Sequence, residues 1–283
     1  MTESGPSGRP DRVVVVPVAD MFSSPDENSD VVSQAIIGSN VVTLETHHDW
    51  VRVQTDDQYS GWISRNDLRE LEESRGYATS GPVVRVEALF AKVYREPSVQ
   101  RHKPILTLPF ESLLEVAPRR EAGEPGWLGV RLPDRRPAWI ARGDGNGNPR
   151  PLTIPQSIEL AKRFLGLPYL WGGRSSFGYD CSGFTQMLVR SRGIRMPRDA
   201  RLQAEWEGAE KIDRKRLIPG DLLFFGPSPD KVNHTALCIG EGEIIHSTTQ
   251  NRPGVQIGRL VDQSSERTLV ACTRVKGVAA GKT

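Results

Sequence analysis

The sequence predicts two small all-β barrels followed by an α+β domain, and three observations carry that reading. A tryptophan-centred motif occurs twice in the first half. A Gly- and Pro-rich segment near residue 145 separates the halves. Beyond it, helical periodicity comes first and strand-like runs come after.

The chain has 283 residues, enough for about two or three domains. Its net charge is only +2, so no basic excess marks a nucleic-acid footprint. Three cysteines, Cys181, Cys238 and Cys272, contain no C-x-x-C pair, which argues against a disulfide framework and against a zinc ribbon. No apolar run is long enough to span a membrane. The opening MTESGPSGRP reads as a disordered tail over residues 1–12. Val13 to Ala19 follows two arginines and mimics a short signal core, but a similar segment recurs at Val83 to Val86, so it reads as a strand. With no signal visible the expected compartment is the cytoplasm; export is the alternative if a signal precedes this sequence.

The barrels come from the repeat. Trp50-Val51-Arg52-Val53 precedes Gly61-Trp62-Ile63-Ser64, and Trp127-Leu128-Gly129-Val130 precedes Ala138-Trp139-Ile140-Ala141; the Trp-to-Trp step is 12 residues in both. Asp67 and Asp144 each follow the second Trp by five. Short apolar alternations broken by polar turns give small antiparallel barrels over 13–75 and 80–145, with the tryptophans at buried strand positions. Gly143 to Pro151 reads as the linker that ends the second barrel.

The C-terminal domain is expected over 153–277. Ile158, Ala161, Phe164 and Leu165 lie at helical spacing, and Gly166 and Pro168 end that helix. A second helix starts at Asp180, with Phe184, Met187 and Leu188 on one side and Gly193 as its C-terminal cap. A short helix follows Asp199. Strand-like runs then cover Asp221 to Phe225, His234 to Ile239, Glu243 to Ser247 and Leu269 to Val275.

Asp180 caps the second helix, which puts Cys181 in its first turn. The positive end of a helix favours an anion, and a thiolate there beside a histidine has a lowered pKa. The free N–H groups of that turn suit an oxyanion. The alternative is a small buried cysteine with no chemistry. Of five histidines, His47, His48 and His102 fall in polar turns of the barrels and read as exposed. His234 and His246 flank a hairpin at Gly240-Glu241-Gly242. A hairpin centred on Glu241 sets His246 opposite Ala236, diagonal to His234 on one face; a two-residue loop sets the histidines on opposite faces. A zinc site from Cys181, His234 and His246 lacks a fourth ligand, so neither metal nor other cofactor is expected.

Five segments in order, Pro168-Tyr169-Leu170-Trp171-Gly172-Gly173, Asp180-Cys181-Ser182-Gly183, Pro219-Gly220-Asp221-Leu222, Asn233-His234-Thr235-Ala236 and Ile245-His246-Ser247, resemble the NlpC-type family of papain-like cell-wall peptidases. The resemblance covers about Pro155 to Val275. It implies a papain-like α+β fold with a helix-borne Cys181 nucleophile packed on an antiparallel sheet, His234 as general base, His246 orienting His234, and Tyr169 near the oxyanion. The two barrels resemble bacterial SH3-like domains, which act as spacers, bind wall material or shape the enzyme's pocket. Together the arrangement resembles the γ-D-glutamyl-L-diamino acid endopeptidases, which cut murein peptides and prefer a free N-terminal L-Ala. That resemblance assigns the peptide's N-terminal part to Asp180, Ser182, Arg198 and Asp199, with Ala200 where the relatives carry Ser. Trp171 joins the substrate-binding set. It assigns the L-Ala ammonium to Asp30 and Tyr59; Asp30 as a solvated turn residue is the alternative. Arg174, Arg198 and Arg201 are candidates for the substrate's α-carboxylate, or simply surface arginines. The expected partner is a murein peptide, cut in wall recycling. A wall-binding protein with an inactive peptidase domain, and an amidase or acyltransferase on other substrates, are the competing readings.

Overall fold

The computed structural model describes residues 8–72, 75–117, 125–260 and 268–277. The chain divides into two compact units, Met1–Pro149 and Arg150–Thr283. Among the described residues no helix is long and apolar enough to cross a membrane.

The first unit holds two sheets of seven strands. One is built from β1 (Arg12–Val14), β2 (Val18–Phe22), β3 (Val31–Ile36), β4 (Asn40–His47), β5 (Trp50–Gln54), β6 (Ser60–Ser64) and β7 (Leu68–Glu70). The other comprises β8 (Val83–Val86), β9 (Phe90–Tyr94), β10 (Leu106–Pro109), β11 (Leu113–Val116), β12 (Trp127–Arg131), β13 (Pro137–Ala141) and β14 (Gly145–Asn146). Their pairing orders are β3-β2-β6-β5-β4-β1-β7 and β10-β9-β13-β12-β11-β8-β14, the same order element for element. The registers match as well: Trp50 pairs Ser64 and Arg52 pairs Trp62, as Trp127 pairs Ala141 and Gly129 pairs Trp139.

The expected burial of the tryptophans needs correction. Only Trp62 is buried; Trp50, Trp127 and Trp139 are half-buried. The first core is filled instead by Val14, Met21, Val51, Val53 and Ile63, the second by Val84, Val93, Leu108, Val130 and Ile140. Alternation explains this, because a strand that turns Val51 and Val53 inward must turn Trp50 outward. Two of the half-buried tryptophans meet an aromatic edge-on, Phe22 with Trp50 at 5.3 Å and Tyr94 with Trp127 at 5.4 Å between ring centroids. Such pairs add about 0.5–1.5 kcal/mol beyond area burial.

Two boundaries also move. Residues 1–7 of the expected tail lie outside the described residues, but Asp11 and Arg12 already belong to the barrel: Asp11 N–H donates to Val41 O, and Arg12 starts β1. Gly145 and Asn146, read as linker, form β14 against β8. A Cβ on Gly145 would lie 2.5 Å from Val84 Cγ2, so the glycine permits close packing rather than a loose connection. Tyr77, between the barrels, ties them together. Its backbone exchanges two hydrogen bonds with the Asn40 amide, and its hydroxyl accepts from Glu115 N–H and donates to Arg131 O. Ile37, just past β3, is buried in the second barrel's core.

The second unit is α+β, as expected. It contains α1 (Ile154–Lys162), β15 (Arg174–Ser175), β16 (Gly178–Tyr179), α2 (Cys181–Ser191) and α3 (Ala200–Glu205), then β17 (Ala209–Lys211), β18 (Leu222–Phe225), β19 (His234–Gly240), β20 (Glu243–Thr248), β21 (Gly254–Arg259) and β22 (Leu269–Val275). The last six form one antiparallel sheet ordered β17-β22-β18-β19-β20-β21. Thr153 and Gln156 form a capping box at the start of α1, where Pro155 occupies the first turn. Gly166 (φ 84°) and Gly193 (φ 79°) take the left-handed conformation just beyond α1 and α2. The rings of Phe164, Tyr179 and Phe184 meet edge-on in the core that carries α2.

Candidate active site

Cys181 is the first residue of α2, and Asp180 caps it, its Oδ1 accepting Gly183 N–H at 2.7 Å. Gly183 is required by packing. A Cβ there would lie 2.2 Å from Gly173 O, so the Trp-Gly-Gly loop sits directly on the first turn. Gly173 O also accepts Asp180 N–H, and Ser247 Oγ donates to Tyr179 O at 2.6 Å. Three of the sequence segments thus hold the nucleophile in place. Pro219-Gly220-Asp221 serves the sheet instead: Asp221, almost wholly buried, accepts two bonds from Arg274 and one from Ile218 N–H.

The histidines are brought together. His234 Nε2 and His246 Nδ1 lie 2.8 Å apart, both rings buried. The hairpin that achieves this combines the two loops considered from sequence. Glu241 (φ 52°) and Gly242 (φ 75°) form a two-residue turn between Gly240 and Glu243, with the positive angles of a type I′ turn. Alone, that turn would separate the histidines. A bulge at Ile239 restores the register to Cys238↔Ile244 and Leu237↔Ile245, which carries His246 opposite Ala236. Since Nε2 of His234 is spent on His246, Nδ1 is the nitrogen it can offer to a thiol.

The thiol is not the preformed thiolate expected from a helix start. Burial pushes Cys181 up to about 11, and the Asp180 carboxylate adds to the rise. The N–H of Thr235, Arg198 and the N–H of Ser182 oppose it without prevailing. The physical reason is that the helix end supplies only partial charges, whereas enclosure removes the whole solvation of an anion. Thr235, whose N–H faces the sulfur, is the residue next to His234.

Asp180, Ser182 and Arg198 form one buried cluster. Arg198 binds the two oxygens of Asp180 at 3.0 and 2.6 Å and donates to Ser182 Oγ at 2.8 Å. Its side chain is 1% exposed. Arg198 is thus not a surface arginine, which corrects that reading. Arg174 is likewise buried, with Nε donating to Gln186. Arg201 is exposed and pairs loosely with Glu205. Sequence reading missed Gln203 and Thr185: Gln203 Nε2 donates to Ser182 O and its Oε1 accepts from Thr185 Oγ1. The sequence carried no clear signal for either, since α3 (ARLQAE) also holds Arg201 and Glu205.

Tyr169 is half-buried and bridges to Tyr179, directly before Cys181's cap. Trp171 is 69% exposed, beside exposed Leu170. Asp199 precedes α3 without capping it, and Ala200 begins that helix, buried. Asp30 and Tyr59 lie in the first unit. Asp30 is exposed and immediately precedes β3; Tyr59 is half-buried and immediately precedes β6. Both strands run antiparallel to β2 on its two sides, so the two residues share one end of the barrel.

Residues 166–274 match the model of the NlpC/P60 family, and residues 21–68 match that of the bacterial dipeptidyl-peptidase SH3 domain. A γ-D-glutamyl-L-lysine dipeptidyl-peptidase from Bacillus cereus is 34% identical over 241 residues, 78% of this chain and 68% of that protein. One of the same description from Bacillus subtilis is 28% identical over 263 residues, 86% of this chain and 81% of that one. A crystal structure of an NlpC/P60 family protein from Bacillus cereus aligns with TM-score 0.80 at 27% identity, covering 93% of this chain and 99% of that one.

Proposed function

The chain belongs to the NlpC/P60 family of peptidases, and from that premise we propose that it hydrolyses the γ-D-glutamyl-L-diamino acid bond of murein peptides. The observation that carries the reading is the capped Cys181 helix start beside the 2.8 Å His234–His246 pair, in a chain whose relatives bear that activity in their names. His234 Nδ1 takes the proton of Cys181 as the sulfur attacks the γ-glutamyl carbonyl. The N–H groups of the first turn of α2, with the Tyr169 hydroxyl, stabilise the oxyanion. His234 then protonates the leaving amine, the C–N bond breaks, and water hydrolyses the thioester. His246 holds the ring of His234.

A preference for a free N-terminal L-Ala is the second part of the proposal. Asp30 and Tyr59 at one end of the first barrel support it, since a carboxylate holds an ammonium by a charge-assisted hydrogen bond. Asp180, already bound to Arg198, keeps Ser182 and the helix start in position for the peptide, with Asp199 and Trp171 beside them as contacts. The second barrel is a second SH3-like domain, a reading that rests on its identical strand order. The enzyme acts in the cytoplasm on released fragments.

Mass-spectrometric assay of L-Ala-γ-D-Glu-diaminopimelate, its lysine form and an N-acetylated form tests these statements. Release of L-Ala-γ-D-Glu from the free peptides alone is expected. Cys181→Ala should abolish turnover and leave the fold intact; retained activity removes the assignment. Equal cleavage of the acetylated form removes the ammonium site at Asp30 and Tyr59. Cell fractionation tests the compartment.

A further inference from the structure

The stretch between α2 and α3 is irregular, yet Met196 and Arg198 within it are each 2% exposed. Carbonyls enclosed in such a stretch need donors. Two glutamine side chains supply them. Gln186 Nε2 donates to Met196 O at 2.9 Å. Gln203 Nε2 donates to Pro197 O at 2.9 Å and to Arg198 O at 3.3 Å. It also donates to Ser182 O, in the first turn of α2, at 3.0 Å. Helical geometry explains the reach. Gln203 is the fourth residue of α3, and a helical side chain leans towards its own N-terminus. That lean returns the amide to the residues that precede the helix.

The amide has one orientation. Turned about, its Oε1 would face three carbonyl oxygens. Oε1 instead accepts from Thr185 Oγ1 at 3.0 Å, one turn along α2 from Cys181. Gln203 is wholly buried, and its bonds go to Ser182, Thr185 and the Arg198 stretch, not to the thiol. The amide therefore joins two pieces that must stay in register. One is the first turn of α2, where Ser182 N–H faces the sulfur. The other is the backbone of Arg198, whose side chain binds the Asp180 cap and Ser182 Oγ. Arg198 can hold the cap in a fixed direction only while its own backbone is held.

We infer that Gln203, oriented by Thr185, is a positioning residue for the Cys181 nucleophile. It fixes the peptide planes of the first turn of α2 from behind, without meeting the substrate. The inference rests on the endopeptidase reading above. The N–H groups of that turn act on charge that develops only in the transition state. Loss of the amide should therefore appear in kcat and not in KM.

Gln203→Met keeps the reach of the side chain and removes both amide protons. On whichever free peptide the wild-type chain cuts, it should lower kcat about tenfold and leave KM within about twofold. Val189→Ala, further along α2, is buried and outside the network. It should lower the unfolding midpoint and leave kcat within about twofold. Thr185→Val should lower kcat about threefold alone and change it little beside Gln203→Met, since the two act as one unit. An unchanged kcat in Gln203→Met, an equal loss in Val189→Ala, or independent effects of Gln203 and Thr185 overturn the inference. If Gln203→Met does not fold, Thr185→Val decides, and an unchanged kcat overturns it. Alkylation of Cys181 by iodoacetamide, resolved by peptide mass, needs no substrate. Gln203→Met should slow it, through a thiol less well aligned with His234; an unchanged or faster rate means that the amide only keeps the thiol covered, and overturns the inference. Failure of the wild-type chain to cut either free peptide fails the endopeptidase reading, while alkylation still decides the role of Gln203.

Discussion

The two units build their interiors from different materials. In the barrels the two core clusters are aliphatic apart from Met21, and charged groups pair at the surface, as Arg101 does with Glu96. In the catalytic unit the ground beneath the nucleophile is polar: Asp180, Ser182, Thr185, Gln186, Arg174, Arg198 and Gln203 are all buried. Charge divides in the same way. Residues 1–149 hold 17 basic and 22 acidic residues, net −5, and residues 150–283 hold 20 and 13, net +7. An aliphatic core tolerates change in proportion to volume. A buried ionic cluster does not, because each member is neutral to the fold only while its partner remains. The catalytic unit accepts that risk in the place where a position must be fixed in direction as well as in distance.

Arg198→Met should produce the largest loss, about 3–5 kcal/mol in denaturant unfolding of the second unit, because Asp180 would remain buried and unpaired. Recovery of that loss on adding Asp180→Asn would confirm the mechanism; no recovery would mean that Arg198 packs rather than pairs.

The next effect is a dependence of the same unit on alkaline pH. Cys181 and Cys272 both sit near 11 in the fold against an ordinary value of 9.0, chiefly through burial. Between those values the folded chain retains protons that the unfolded chain has lost, so stability falls as pH rises. The fall should reach at most about 3 kcal/mol per thiol by pH 11. Cys272→Ala should flatten the profile, and a profile unchanged by that substitution would show that other groups govern it.

The smallest effect belongs to the barrels. Ile63→Val or Ile140→Val should cost about 1 kcal/mol each, with no pH dependence. A loss as large as that of Arg198→Met would erase the contrast between the units.

Much of this was readable from the residues. The repeat showed where the barrels lie because a strand's alternation is a local property. Asp180 marked the helix start because capping is local too. Long-range pairing was the part that escaped. Arg198 and Asp180 each looked like a contact for substrate, and nothing in the spacing says that they neutralise each other. Edge strands β17 and β21 escaped because Ala209–Lys211 and Gly254–Arg259 carry too few inward apolar residues to alternate. The thiol's protonation escaped because the helix end can be seen from sequence, whereas the enclosure around it cannot.

Ile239 leads to one more consequence. The bulge works like a parity bit for the strand that follows it. Deleting this single residue, which performs no chemistry, would rotate every side chain of one strand by half a turn relative to the other. His246 would exchange places with a neighbour on the far side of the sheet. A frame error in geometry, with the reading frame of the gene intact, would silence the enzyme while leaving each of its catalytic residues in the chain.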